Sequence, residues 1–270
     1  MRVGIIGLGL IGGSLALALR RLSRSIEVIG VAKRAETAAE AIQRGAVDRA
    51  STDLADLSNC DIVVIATPIE EMAVVMERLA PAVATGTLIT DVASVKRPVL
   101  GWAQTLPNPS RFLGGHPVAG KTRTGLGESD ASIFEHEPWI FTPAEGQDVR
   151  PFDTWFEIVR AIGGTVSFMR ADVHDRQMAF LSHLAFVVSA AFSETIQKNA
   201  DPTAGGPGYR SMVRLAGGDP AMYEAIAREN REALVDAIDR FDAVLHRYRQ
   251  RIGDGARVRE LFGGAVHAGH

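Results

Sequence analysis

The stretch "VGIIGLGLIGGSLALALRRL", Val3 to Leu22, decides how the rest of the chain is read. It opens as a short apolar run, passes glycines at 7, 9, 12 and 13, and ends in Leu and Ala at helical spacing. Its apolarity alone would suit a secretion signal, but glycines interrupt the apolar core and no convincing cleavage site of small residues follows. Strand, turn and helix accounts for every part. Gly7, Gly9 and Gly12 then form G-x-G-x-x-G between a strand and a helix, the context in which this pattern holds a dinucleotide. Gly7 permits the tight turn, Gly9 lets the backbone approach a pyrophosphate, and Gly12 allows helix and strand to pack closely. The first helical amides, at Leu10 and Ile11, face the phosphates.

Outward from this point, strands and helices alternate. "EVIGVA" (27–32), "DIVVIATP" (61–68) and "TLITDVAS" (87–94) are short apolar runs of the kind buried on both faces of a parallel sheet. "AETAAEAIQRG" (35–45) and "IEEMAVVMERLAPAV" (69–83) supply helices between them, and "RFLGGHP", "PWIFTP" and "GGTVSFM" read as later strands. The pattern predicts a doubly wound, Rossmann-type α/β domain over residues 1–170. From 171 the strand signal stops. "DVHDRQMAFLSHLAFVVSAAFSETIQ" and "PAMYEAIARENREALVDAIDRFDAVLHRYRQRI" are periodic over long spans, which predicts an all-helical domain over 171–270 with a frayed tail, "GGAVHAGH".

Composition narrows the partners. A chain of 270 residues, 46% hydrophobic, can bury a substantial core. Its formal charge of -3 leaves no basic footprint for nucleic acid and no polybasic membrane anchor. No transmembrane span is expected, so a small-molecule partner is the natural reading. The lone Cys60 opens an apolar strand and reads as a buried structural thiol in a reducing cytoplasm.

The cofactor turns on the end of the second strand. An NAD site usually carries Asp or Glu there for the ribose 2′-hydroxyl, whereas this chain reads "GVAKRAET", with Ala32 in the slot and Lys33 and Arg34 after it. Two cations suit a 2′-phosphate, so NADP is preferred over NAD, the alternative being a solvated basic turn. Thr67 and Pro68, and "DVASVK" (91–96), fall at strand ends, where open α/β sheets bind ligands. His116 ends the strand "RFLGG" on the same rim, framed by glycines at 114, 115 and 120 that would admit a substrate and a nicotinamide to the imidazole.

In order and spacing, "GLGLIGGSLA", "TDVASVK", "FLGGHPVAG", "HDRQMAFLSHL" and "GYRSMVRLAGGDP" resemble the prephenate and arogenate dehydrogenases of tyrosine biosynthesis over nearly the whole chain. The resemblance implies oxidative decarboxylation of a cyclohexadienol: hydride passes to the nicotinamide, the ring carboxylate leaves as CO2, and a phenol remains. It implies that His116 is the catalytic histidine, accepting a hydrogen bond from the ring hydroxyl, a task that suits a neutral imidazole. Ser94 is implied as partner to that histidine and hydroxyl, and could also cap the next helix. Arg210 is implied to hold the ring carboxylate, with Arg214 on the same face if the segment is helical, and His183 to line the substrate pocket.

There are departures from the family pattern. Many members read "SHLPH" where this chain has "SHLAF", with Phe186 in place of the second histidine, and many have Thr where this chain has Lys121. Both lie where the substrate side chain would be sensed. The basic turn and the missing histidine resemble the arogenate-using members, which favours arogenate over prephenate. The helical half resembles the family's dimerisation module, and "AFLSHLAFVVSAAFSETI" is apolar nearly all round, which predicts a homodimer. Two alternatives stand beside this reading. A β-hydroxyacid dehydrogenase would need a lysine on the first long helix, which has none between 171 and 197. An NADP-sensing protein without chemistry would have no need of Ser94, His116 and Arg210 together.

Overall fold

The computed structural model describes residues 1–254, so the expected frayed tail and the end of the 171–270 domain lie outside the described residues. Eight strands, β1 (Arg2–Ile6), β2 (Glu27–Val31), β3 (Arg49–Ser51), β4 (Ile62–Ile65), β5 (Leu88–Asp91), β6 (Phe112–Pro117), β7 (Pro138–Thr142) and β8 (Thr165–Phe168), form one sheet. Their order is β3-β2-β1-β4-β5-β6-β7-β8. β1 to β6 pair in parallel, and the reversal of order on either side of β1 is the doubly wound topology.

Both faces of the central strands are buried, as the apolar runs predict. On β4, Ile62 and Val64 join a core with Leu15 and Leu19 of α1 (Leu10–Leu22) and with Trp155 and Phe156 of α5 (Asp153–Ala161). Val63 and Ile65 join another, with Met72, Met76 and Leu79 of α3 (Ile69–Leu79) and Val99 of α4 (Arg97–Trp102). The remaining helix of this half, α2 (Ala35–Gln43), buries Ala38 and Ala41 against the first core. Cys60 is buried, and burial pushes its thiol up to about 11, as expected of an inert packing residue.

Two details depart from the sequence reading. β7 runs antiparallel to β6, and β8 runs parallel to β7, so the sheet is mostly rather than wholly parallel. Between β6 and β7 the chain forms only a 3-10 turn, Leu126–Glu128, and without a crossover helix the next strand returns antiparallel. β3 is an additional strand whose three partly polar residues carry no strand pattern.

From Ala171 to Asn199 the chain is one continuous helix of 29 residues. It comprises α6 (Ala171–Met178), a widened π segment (Ala179–His183) and α7 (Leu184–Asn199). Beyond it come α8 (Pro207–Val213), α9 (Pro220–Glu229) and α10 (Arg231–Gly253), the periodic stretch 220–252 dividing at Asn230. The 29-residue helix is long and apolar enough to cross a membrane by length and composition. Along α7 only Ser189 is buried, and Leu181 in the π segment is 71% exposed.

Candidate active site

The glycine turn is built as the pattern requires. Gly7 has φ +94°, and a Cβ there would lie 2.6 Å from the Ala66 carbonyl oxygen. A Cβ on Gly12 would come within 1.9 Å of the Gly7 carbonyl oxygen, whereas a Cβ on Gly9 would meet nothing within 4 Å. Gly9 caps α1 without a side-chain hydrogen bond, and no acidic residue occupies the first turn. The leading amides, Leu10 and Ile11 among them, therefore open onto free space with the positive end of the helix behind them, a cradle that fits a pyrophosphate. Across β1, the Thr67 hydroxyl is buried without a hydrogen-bond partner, and Pro68 leads into α3. A buried, unpartnered hydroxyl at this rim fits a polar ligand lying over the strand ends.

The basic turn is less simple than its sequence. Ala32 is buried and its N–H donates to the Ser51 carbonyl. Lys33 Nζ donates to Glu71 Oε1 at 2.6 Å, an ion pair with the first turn of α3. Arg34 is exposed, with one contact of 3.4 Å to Thr37 Oγ1. Arg34 is thus the readier of the two cations.

His116, 6% exposed, sits near the end of β6. Its Nδ1 lies 2.9 Å from Nε2 of His174, whose Nδ1 lies 2.8 Å from Asp175 Oδ1. Both partners come from α6. Asp175 also accepts from the backbone N–H groups of Lys96 and Arg97, at 2.7 and 2.9 Å, and so caps α4 from a distant part of the chain. Ser94 is no cap for α4; it is half-buried, and no hydrogen bond joins its hydroxyl to His116 in the single chain. Burial lowers the His116 pKa well below its usual 6.5, assisted by His174, Lys96 and His183, so the ring is neutral at pH 7.

Behind His116 lies a buried ion pair. Lys96 Nζ donates to Asp91 Oδ2 and, at 2.6 Å, to the Gly115 carbonyl, while Gly115 N–H donates to Asp91 Oδ1 at 3.0 Å. These bonds lock the end of β5 to the residue before His116. They also change the meaning of two glycines. A Cβ at Gly114 would lie 2.4 Å from Thr142 Oγ1, and one at Gly115 would lie 2.7 Å from the Asp91 carbonyl oxygen. Both glycines serve strand packing rather than ligand approach, because β6 is buried throughout; Gly120, with nothing within 4 Å of a Cβ, keeps the open setting expected of it.

His183 ends the π segment, 1% exposed. Asn230 Nδ2 lies 3.1 Å from its Nδ1 and 2.7 Å from the Asp175 carbonyl. The asparagine amide donates to both, which leaves the His183 proton on Nε2. That atom is buried and makes no hydrogen bond of good geometry, although the Ser94 backbone beside it favours the charged form slightly. Burial dominates and brings the His183 pKa down to about 4. Among the described residues, no hydrogen bond is made by Nε2 of His116 or by Nε2 of His183.

Arg210 lies on α8 and Arg214 caps it, so the segment is helical as the spacing requires. Both are exposed, and Arg210 donates to the Gly205 carbonyl at 3.1 Å. The segment is tied to α7 by Ser189, whose hydroxyl donates to the Met212 carbonyl and accepts from Ala216 N–H. Phe186 packs on Tyr223 at 4.3 Å between ring centres, and Lys121 pairs with Asp130. The structure therefore gathers His116, Ser94 and His183 around the junction of sheet and helices, and leaves both arginines at the surface of the single chain. Sequence reasoning assigned no role to Asp91, Lys96, His174, Asp175 or Asn230. A carboxylate directly after a histidine in α6, and a lysine closing an apolar strand end, were the available signals.

A phosphate cradle at the first turn of a doubly wound sheet, with a neutral histidine where the sheet meets a helical module, defines a two-part nucleotide-binding protein of the dehydrogenase type. The comparisons with known proteins narrow this. Residues 15–168 match the model of the prephenate dehydrogenase nucleotide-binding domain, and 170–262 that of its dimerization domain. The chain belongs to the prephenate dehydrogenase family. It is 32% identical over 242 residues to prephenate dehydrogenase of Bacillus subtilis, covering 86% of this chain and 65% of that one. Among solved structures it is similar to Synechocystis arogenate dehydrogenase (TM-score 0.81, 30% identity, 97% and 95% of the two chains). It is also similar to prephenate dehydrogenase from A. aeolicus in complex with hydroxyphenyl propionate and NAD+ (TM-score 0.90, 27% identity, 98% and 96%).

Proposed function

We propose that this chain is an oxidoreductase that oxidatively decarboxylates a cyclohexadienyl substrate, arogenate in preference to prephenate, with NADP in preference to NAD. One observation carries the reading: His116 is buried, its lowered pKa keeps it neutral, and its hydrogen bond to His174 is made through Nδ1, which leaves Nε2 for the substrate hydroxyl. Bound at the glycine turn, a nicotinamide dinucleotide supplies the hydride acceptor. His116 takes a hydrogen bond from the ring hydroxyl at the carbon that loses hydride, and the electron density this pushes into the C–O bond favours departure of the hydride. The electrons of the broken bond to the carboxylate then close the aromatic ring, CO2 leaves, and the hydroxyl keeps its proton as a phenol. His183 offers its spare N–H to a substrate oxygen, and Ser94, at the same junction, orients the hydroxyl. Arg210 is the ring-carboxylate fork, with Arg214 beside it.

Arg34, with Lys33 in reserve, supports NADP, because no carboxylate follows β2 to bind a 2′-hydroxyl and repel a 2′-phosphate. Phe186 in place of a histidine supports arogenate. The relatives' names span prephenate and arogenate. The exposed apolar helix 171–199 supports a homodimer, since its hydropathy calls for burial while its buried His174, Asp175 and His183 tie it to a soluble fold. A reducing cytoplasm suits the single buried thiol.

The test is to follow the absorbance of reduced cofactor with each substrate and each cofactor in turn. His116→Asn should lower kcat by about 10³-fold while leaving cofactor affinity within about twofold. Wild-type turnover by that variant would refute the mechanism.

A further inference from the structure

The chain of side chains behind His116 runs from β6 through α6 to the start of α4, and each link restricts the next. Asp175 accepts two backbone N–H groups at the start of α4 besides the contact with His174, so both of its oxygens are engaged as acceptors. His174 Nδ1 must therefore carry a proton and donate it to Asp175. Other charged groups bear on His174: Lys96, from the turn between β5 and α4, opposes a second proton, and Asp91 at the end of β5 favours one. His183, from the π segment, faces His116. Burial is the largest influence on His174 and disfavours the cation, leaving Nε2 as a bare acceptor. His116 Nδ1, 2.9 Å away, can then only donate.

We propose that His174, oriented by Asp175, is a positioning residue that fixes His116 in the Nδ1–H tautomer and so keeps a lone pair on Nε2 for the substrate hydroxyl. The inference rests on the reaction proposed above for its catalytic meaning, while the tautomer itself is a property of the resting protein. A neutral imidazole has one donor and one acceptor nitrogen, and the hydrogen bond at one decides the other. With the proton on Nε2, His116 would present a donor to a hydroxyl that must itself donate. The relay also crosses the molecule: its carboxylate belongs to the first helix of the second half and caps a helix of the first, so the acceptor is set only when the two halves are docked.

The test is spectroscopic and kinetic. In protein labelled with ¹⁵N-histidine, the His116 signals, assigned by their loss in His116→Asn, should show a protonated Nδ1 and a bare Nε2. His174→Gln keeps an acceptor oxygen near the position of Nε2 and should retain that pattern and kcat within about tenfold. His174→Leu removes the acceptor, so the proton should move to Nε2 in part or wholly. Its kcat should fall by about 10²- to 10³-fold, less than the roughly 10⁴-fold loss on breaking the analogous carboxylate–imidazole link of a serine protease. KM and the Kd for reduced cofactor should stay within about threefold. Proton on Nε2 in the wild type, or wild-type kcat and tautomer in His174→Leu, would overturn the proposal. If His174→Leu does not fold, the spectra of the wild type and His174→Gln decide. If the wild type shows the expected tautomer but oxidises no cyclohexadienyl substrate, the reaction is wrong and the relay stands.

Discussion

The two halves of this molecule meet their needs in different ways. In the sheet half, both cores close within the chain, and the glycine turn and the buried Lys96–Asp91 pair are complete without help. In the helical half, α7 buries one residue, Leu181 stands 71% exposed, and among the described residues Arg210 donates only to its own loop. The sheet half holds by itself the parts that a dinucleotide needs, while His116 also leans on His174 and Asp175 from the first helix of the other half. The helical half leaves a long apolar helix and both arginines at the surface of the single chain, as the proposed dimer requires.

Among changes outside the histidine relay, the largest effect should come from breaking the proposed dimer. Leu181→Asp places a charge on the most exposed apolar side chain of the long helix. Sedimentation should show monomers, turnover should fall by about tenfold or more, and cofactor affinity should remain near wild type; loss of cofactor binding in step would erase the distinction between the halves.

A second effect acts at the junction. The His183 pKa is about 4 in the folded chain against about 6.5 unfolded, so between these values the unfolded state binds more protons and stability falls as pH falls. His183 alone accounts for about 3 kcal/mol lost between pH 6.5 and 4, and the depressed His116 and His174 add with the same sign. Urea unfolding at pH 7 and pH 5 measures this; equal stabilities would mean that the three rings are not buried as described.

The smallest effect concerns the sheet half alone. Glu71→Gln releases Lys33 from its ion pair and should raise the ratio of kcat/KM for NADP over NAD by a few fold, with no change in oligomeric state. An unchanged or lowered ratio would remove Lys33 from the cofactor site.

The same division explains what could be read from the sequence. The glycine turn and the strands β1, β2, β4 and β5 were legible because their signals lie in a few consecutive residues: Gly7 takes a positive φ, Gly12 collides with the Gly7 carbonyl, and each strand is an unbroken apolar run. β3 was not, since its three residues pair only through β2. Nor was the reversal of β7, which is set by a missing crossover rather than by the strand itself. The role proposed for His116 came from a family resemblance, and the structure adds its burial and its neighbours. The groups that surround the junction, Lys96, His174, Asp175 and Asn230, meet across 19 to 79 positions. No local pattern records such meetings. The glycines at 114 and 115 misled for the same reason, their true neighbours being Thr142 and Asp91.

The widened turn at Ala179–His183 has a consequence for phase. A π turn holds one residue more than an α turn, and each α residue rotates the helix by about 100°. Upstream, His174 and Asp175 must face the sheet; downstream, Ser189 must face the loop before α9. Those two directions agree only because the surplus residue takes up the difference. An α-helix that kept all 29 residues would swing one set of contacts about a quarter-turn away from the other, whereas a chain lacking Leu181 could run as an uninterrupted α-helix and keep its histidines and its serine latch in place together.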